Sequence, residues 1–241
     1  MPFLCFLVWW MERPVSELSL QQPILYSHPD DPDSHRVRFL LAEKGLRPQL
    51  VWVDPQDRGE LAELNPYNTL PLWAEKNLRL YAPEALCEYL EDRYRQPRLL
   101  PDHPQQRAEV RQLAWRIRQD WLEPAWQLLQ DRVPEDRADP IRRSLQDSLV
   151  SLNPLFARHR YFLQDELGWC DVLLAPLLWR LPSLSIPLPP ALCPAVLAYC
   201  ARVFARPAFL ASLSVQEQRH RNGTLHHATN PDPSLLVARP V

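Results

Sequence analysis

Proline is the residue that most restricts what this chain can form, because 27 prolines stand among 241 residues and only four glycines accompany them. A proline lacks the backbone N–H, so it fits the first turn of a helix or a loop and disrupts a helix interior or a central strand. Disordered proline-rich chains are generally rich in glycine as well, and they would not carry nine tryptophans. The composition therefore predicts a folded protein whose prolines mark helix starts and connections.

The charge and the cysteines exclude several classes of protein. The formal net charge is -2 at pH 7, whereas duplex binding requires a concentrated basic face. The seven histidines are scattered without ligand-like spacing, so we expect no metal site and no direct contact with nucleic acid. The five cysteines form no C-x-x-C pair, which favours reduced thiols in the cytoplasm over a disulfide framework.

Both ends of the sequence are interpreted as segments outside the fold. Pro2–Met11 is apolar but short for a membrane span, and it lacks the basic start and the cleavage site of a signal peptide. We expect residues 1–21 to be a disordered lead, or an artefact if Met11 is the true start, and we expect no membrane association. Residues 220–241 are polar and without a helical pattern, which predicts a disordered tail.

The first third of the chain alternates strand-like and helix-like segments. In one predicted helix Val37, Leu40 and Leu41 share a face, and Gly45 ends it. In order, the segments are Pro23–Ser27 (strand), Ser34–Lys44 (helix), Gln49–Val53 (strand), Gly59–Leu64 (helix), Leu70–Lys76 and Leu78–Tyr81 (hairpin), and Pro83–Tyr94 (helix). The order βαβαββα predicts a compact α/β domain at residues 22–94, of the thioredoxin-like kind.

The rest of the chain is predicted to be helical. Residues 95–104 contain three prolines and form a linker between the two domains. Apolar residues at helical spacing then predict an all-α domain at residues 105–219. Its predicted helices are Gln105–Arg132, Pro140–Leu152, Trp169–Leu181, Pro190–Phe204 and Pro207–Leu213.

Local sequences across about residues 22 to 219 resemble the stringent starvation protein A family of the glutathione-transferase superfamily. They are Tyr26–His28, Ser34–Arg38, Leu41–Gly45, Leu64–Tyr67, Leu70–Pro71, Glu88–Leu90, Arg93–Tyr94, Leu99–Pro101, Asn153–Ala157, Tyr161–Leu163, Leu174–Pro182, Phe204–Arg206 and Ala211–Ser214. The resemblance implies a glutathione-transferase fold: a thioredoxin-like α/β N-terminal domain and an all-α C-terminal domain. It also implies a dimeric regulator without transferase activity that associates with RNA polymerase holoenzyme, through its sigma factor and core subunits.

Glutathione recognition in this fold has three parts, and two of them are changed here. The position usual for a thiol activator holds Asp31, whose carboxylate cannot attack a disulfide and would raise the pKa of a neighbouring thiol. The residue before a cis-proline is kept as Leu70–Pro71. The acidic–serine pair for the γ-glutamyl end is replaced by Ala82–Pro83. A site that loses its polar partners loses affinity by orders of magnitude, so we interpret these five positions as vestigial and expect no catalytic residue and no cofactor.

Other residues near the first strand and third helix keep an enzyme possible. Tyr26 and Ser34 are substitutes for the activator, although a strand tyrosine of the core and a helix N-cap serine are the alternative roles. Cys87 is either a redox thiol or a structural one, and its helix offers no basic neighbour in sequence. The runner-up function is therefore a glutathione-dependent transferase or reductase with an atypical site. A third interpretation is a dimer whose interface pocket holds an anionic nucleotide signal, near His35, Arg36 and Arg38 at a helix start.

The linker is the predicted partner site. In the resembled family an exposed Pro-His-Pro stretch after the third helix is tied to polymerase association, and the matching stretch here is Arg95–Gln96–Pro97. A rigid proline-rich loop remains, and a pre-ordered loop binds at lower entropic cost. The predicted partner-binding residues are Arg95, Gln96, Pro97, Arg98, Leu99 and Pro101. The alternative is a plain connection between domains.

Overall fold

The computed structural model describes residues 22–53, 59–130 and 133–219. The N-terminal part contains four strands, β1 to β4, and three helices, α1 to α3. In chain order they are β1 (Ile24–Ser27), α1 (Pro32–Glu43), β2 (Gln49–Trp52), α2 (Gly59–Leu64), β3 (Leu72–Glu75), β4 (Leu78–Leu80) and α3 (Pro83–Arg93). The predicted lead and tail fall outside the described residues.

The strands form one mixed sheet in the order β2-β1-β3-β4. β1 pairs parallel with β2 and antiparallel with β3, and β3 pairs antiparallel with β4. A parallel pair needs a crossover, and α1 supplies it between β1 and β2. β3 is buried along its whole length, with Leu72 and Trp73 almost inaccessible.

The elements of the C-terminal part that follow one another along the chain are all helices, joined by turns and loops. Its elements are α4 (Pro104–Ile117), a π-helical segment (Arg118–Leu122), α5 (Glu123–Leu129), α6 (Glu135–Ser151), α7 (Asn153–Phe156), α8 (Trp169–Arg180), α9 (Pro194–Phe204), α10 (Pro207–Ser212) and a last helical turn at 215–219. Helix α8 is buried on nearly every side and packs against α1, α4 and α9. In the described part of the chain, none of the helices combines the length and the apolar character that a bilayer crossing requires.

The predicted fold class is confirmed, and so is the role of proline at helix starts. Pro32, Pro83, Pro104, Pro194 and Pro207 each stand in the first turn of a helix. The backbone N–H groups of that turn have no partner within the helix, so a proline there costs no hydrogen bond.

The helix predicted over Ser34–Lys44 extends over Pro32–Glu43, and three other predicted helices differ more from the structure. The helix predicted over Gln105–Arg132 is divided by the π-helical segment into α4 and α5. The helix predicted to begin at Pro140 begins at Glu135, so Pro140 lies inside α6, beyond an acidic first turn that suits the helix dipole. The helix predicted from Pro190 begins at Pro194, after a turn.

Candidate functional site

The start of α1 is closed by Asp31, which is the N-cap of the helix. Its Oδ2 accepts a hydrogen bond from the backbone N–H of Ser34 at 2.6 Å. Burial raises the pKa of Asp31 to about 6, with Asp33 acting in the same direction and Ser34 and Arg180 in the opposite one. The carboxylate is therefore occupied in satisfying the helix end, and it offers no nucleophile to a substrate.

The two substitutes for an activator lie in structural positions. Ser34 is fully buried in the first turn of α1, and its Oγ accepts from the backbone N–H of His28 at 3.2 Å. The prediction that Ser34 caps the helix is wrong, because Asp31 one turn earlier supplies the capping oxygen. Tyr26 is half-buried on β1, between Val51 of β2 and Leu72 of β3.

The remaining two glutathione positions lie at the starts of β3 and α3. The Leu70–Pro71 peptide bond is cis, as predicted. Ala82 is the N-cap of α3 without a side-chain hydrogen bond, and Pro83 follows it in the first turn. Neither side chain can pair with the ammonium or the carboxylate of a peptide ligand. Glu84, the nearest acid, pairs instead with Arg36 of α1 at 3.1 Å and with Arg118.

Arg36 and Arg118 form one charged cluster with three acids, Asp33, Glu84 and Glu123, between the two parts of the molecule. Arg36, 6% exposed, also pairs with Asp33 at 3.0 Å, and Arg118 pairs with Glu123 at 3.1 Å. Burial acts to raise the pKa of Glu84, but the two arginines outweigh it, so the pKa is lowered and the group stays ionised. The charges at this boundary neutralise one another rather than a bound ligand.

A cavity of about 220 Å³ lies beside the charged cluster, between α1, α3, α4 and α8. Its lining is mostly apolar and includes Leu40, Trp115 and Leu173 as well as the Cys87 thiol. Burial raises the pKa of Cys87 to about 12; Arg36 opposes the shift, and Glu84 and other acids reinforce it. A thiol in this state is protonated at neutral pH and is a poor nucleophile, which favours the structural role for Cys87.

A second charged cluster, which the sequence did not reveal, is centred on Glu217 in the last helical turn. Its fully buried carboxylate accepts from Arg38 at 2.6 and 2.8 Å and from Arg180. The backbone N–H of Ser214 donates to it at 2.8 Å. Glu217 is 179 positions from Arg38, and no local pattern marks such a pair.

Of the three residues that were expected near a nucleotide, two face this cluster and one does not. His35 is fully buried against Ser212 and Arg180, and Arg38 faces Ser212 and Glu217. Arg36 lies on another side of α1, against Asp33 and Glu84. Successive helix positions rotate by about 100°, so Arg36 does not converge with His35 and Arg38, and the three side chains do not form one binding site within the chain.

The predicted partner loop, residues 94–103, connects α3 to α4 without helix or strand. Arg95, Gln96, Pro97 and Arg98 are exposed, and the Gln96–Pro97 peptide bond is cis. Leu99 is only 6% exposed and belongs to the core, so it lies beneath the loop surface, while Pro101 is half-buried. Beside the loop lies a polar cavity of about 170 Å³, and its charged lining residues are Arg95, Arg98, Arg107, Glu91, Asp92 and Asp102.

Among the described residues, no group of histidine, cysteine and acidic side chains is arranged to hold a metal ion. Three of the tryptophans that the structure describes divide between surface and core. Trp115 is 58% exposed on α4, whereas Trp73 and Trp121 are buried.

Known proteins resemble the chain along most of its length. Family models match the N-terminal domain of glutathione S-transferase at residues 32–93 and its C-terminal domain at residues 130–207. A stringent starvation protein A homolog of Coxiella burnetii is 38% identical over 82% of this chain and 94% of its own. The stringent starvation protein A homolog of Pasteurella multocida is 37% identical over 81% of this chain and 92% of its own. A solved glutathione S-transferase from Rhodospirillum rubrum superposes with a TM-score of 0.67 at 29% identity, over 78% of this chain and 90% of that one.

Proposed function

The chain belongs to the stringent starvation protein A family of the glutathione S-transferase superfamily, and we propose that it is a non-catalytic transcription regulator. In this proposal it associates with RNA polymerase holoenzyme, through the sigma factor and core subunits, in stress or stationary phase. It acts in the cytoplasm as a homodimer, the usual state of its fold. Light scattering of the purified protein checks the dimer, because it should give twice the mass of one chain.

The observation that carries the proposal is the state of the two acids at the vestigial site. Asp31 caps α1, and Glu84 is bound by Arg36 and Arg118. An enzyme of this fold must lower the pKa of a thiol and hold both charged ends of glutathione. Here the acids face protein groups, and Ala82 and Pro83 provide no ionic partner. The fold is thus available for binding a macromolecule rather than for thiol chemistry.

The partner surface in this proposal is the exposed part of the loop. Arg95 and Arg98 give it positive charge, although Arg98 also pairs with Asp102. The polar cavity beside it is lined by three arginines, Arg95, Arg98 and Arg107, and by three acids, so it offers the partner charges of both signs. Such rim charges steer association and select partners more than they add affinity.

Co-purification with polymerase tests this surface. We expect the double variant Arg98→Glu with Pro97→Ala to lose co-purification, because it reverses a charge and changes the loop backbone. Arg158→Glu is the matched control, since Arg158 is exposed on the turn after α7 and far from the loop in sequence. Undiminished co-purification of the loop variant would remove this surface from the proposal.

The alternative is a glutathione-dependent transferase or reductase with an atypical site. The likeness to a solved glutathione S-transferase at 29% identity favours it. Retention on a glutathione column together with turnover of a generic electrophile separates the two functions. We expect neither. Turnover that Tyr26→Phe or Ser34→Ala abolishes would establish the alternative.

A further inference from the structure

A buried ion pair lies directly beneath the partner loop. Lys44 follows the last residue of α1, and Glu91 lies in the last turn of α3. Lys44 Nζ is 2.7 Å from Glu91 Oε2, and the two side chains are 0% and 6% exposed. A lysine and a glutamate are almost never fully buried unless they are paired. A buried pair at this position therefore calls for a structural explanation.

Each member of the pair also binds the backbone of the loop. Lys44 Nζ donates to the carbonyl oxygens of Tyr94 at 2.7 Å and Pro97 at 3.0 Å. Glu91 Oε1 accepts from the backbone N–H groups of Leu99 at 2.9 Å and Leu100 at 3.0 Å. The ammonium thus donates to two carbonyl oxygens of the loop and lies at ion-pair distance from the carboxylate, whose other oxygen accepts from two N–H groups of the loop. Both ends of the loop segment 94–100 are therefore held.

The pair fixes the loop against rigid elements. Its side chains come from the C-cap of α1 and the last turn of α3, two helices that pack on each other. A third helix, α8, adds a hydrogen bond from the Trp169 N–H to the Leu99 carbonyl at 2.9 Å. Two apolar residues of similar volume could fill the space of a buried pair at no loss of stability. They could not hold four backbone groups of an irregular loop, since these groups need polar partners.

We propose that Lys44 and Glu91 are positioning residues for partner binding, which hold Arg95–Arg98 in the shape that the partner recognises. This inference rests on the proposed function of the loop. The pair touches no partner itself. It keeps the exposed side chains presented before binding, so the loop does not have to be ordered at that moment, which preserves affinity.

The test removes the pair without touching the loop surface. We expect Lys44→Met, Glu91→Gln and the double variant Lys44→Met with Glu91→Leu each to weaken binding to polymerase holoenzyme by about tenfold or more, the size of effect expected when a preorganised binding element is loosened. The double variant replaces the pair by apolar side chains and keeps the fold if a single change does not. Glu43→Gln is the matched control, because it breaks the adjacent pair of Glu43 with Arg206 at 2.6 Å and leaves the loop contacts intact.

A second readout does not depend on the partner. Trypsin cleaves after arginine, and Arg95 and Arg98 are exposed in the loop. We expect the pair variants to be cut there faster than the wild type and the Glu43→Gln control, at equal fraction folded by circular dichroism. A loosened backbone reaches the protease active site more readily.

The two readouts separate the possible failures. Cleavage and binding both unchanged in the pair variants, with binding lost in Arg98→Glu with Pro97→Ala, would overturn the positioning role and leave the proposed function. Faster cleavage with polymerase binding unchanged in both pair and loop-surface variants would overturn the proposed function, and with it the role of the pair in binding. Faster cleavage together with weaker binding supports both.

Discussion

At the scale of single residues, His35 shows how a buried titratable side chain of α1 is held inside the protein. Arg180 can only donate, and its Nη1 lies 3.0 Å from His35 Nδ1, so Nδ1 must be the acceptor. The proton then sits on Nε2, which is 3.0 Å from Ser212 Oγ. The imidazole is neutral although Glu217 lies 3.6 Å away. Burial lowers its pKa well below the ordinary value, and Arg180 and Arg38 lower it further.

The neutral state of His35 predicts how its contribution to stability depends on pH. Because the folded pKa is lowered, the unfolded chain binds the extra proton as pH falls through about 6.5, and stability is lost there by up to about 1.4 kcal/mol per pH unit. We expect the stability advantage of the wild type over His35→Gln, measured by urea unfolding, to shrink between pH 7.5 and pH 5. Asp31 titrates in the opposite direction near pH 6, but both proteins carry it, so it cancels. A constant difference would mean that His35 is charged in the fold.

At the scale of single elements, the start of α8 depends on one carboxylate. Asp171 Oδ2 accepts from the Gly168 N–H at 2.7 Å, and Oδ1 accepts from the Phe162 N–H at 2.9 Å and the Tyr199 hydroxyl at 2.7 Å. Gly168 has no side chain to return the bond, so only one half of a capping box is present. The same acid therefore joins the helix start, the preceding loop and α9.

This arrangement predicts a large effect for a small change. Asp171→Ala leaves three buried donors without a partner, each costing about 1–3 kcal/mol. We expect a loss of about 3 kcal/mol or more in the free energy of unfolding, measured with urea at pH 7.5. Asp165→Ala, which removes exposed contacts with the Arg160 N–H and with His159, should change it by less than about 1 kcal/mol. Equal effects would show that the cap does not hold α8.

The elements also show which features a sequence can predict. Helix starts at Pro83 and Pro207 were predictable because proline is restricted at a single residue. The π-helical segment was not, because one extra residue in a turn changes the backbone pairing while the apolar periodicity on either side remains helical. The vestigial positions could be predicted by resemblance to a family with a known site. The Lys44–Glu91 and Arg38–Glu217 pairs could not, because each joins residues far apart in the chain whose meeting depends on the packed fold.

At the scale of the whole molecule, α1 is the element that joins the two halves. It contacts α8 and α10, and its Arg38 and Glu43 bind Glu217 and Arg206 in the C-terminal part. The two halves are thus joined by buried charges as well as by apolar contacts, and we expect them to unfold together.

A substitution of Glu217 tests whether these buried charges hold the two halves together. Glu217→Ala leaves Arg38 and Arg180 buried without their carboxylate, which costs about 3–5 kcal/mol. We expect a loss of that size in urea unfolding followed by tryptophan fluorescence. Glu135→Ala removes an exposed pair with Arg142 and should cost less than about 1 kcal/mol. If the two variants lose the same amount, the buried cluster does not hold the halves together.

Two consecutive residues at the end of α1 have different attachments: Glu43 binds Arg206, and Lys44 binds Glu91 and the loop. The outward side chains at Arg95 to Arg98 take no part in either attachment. Mutations that accumulate there over generations can therefore exchange one binding partner for another while the scaffold beneath is inherited unchanged.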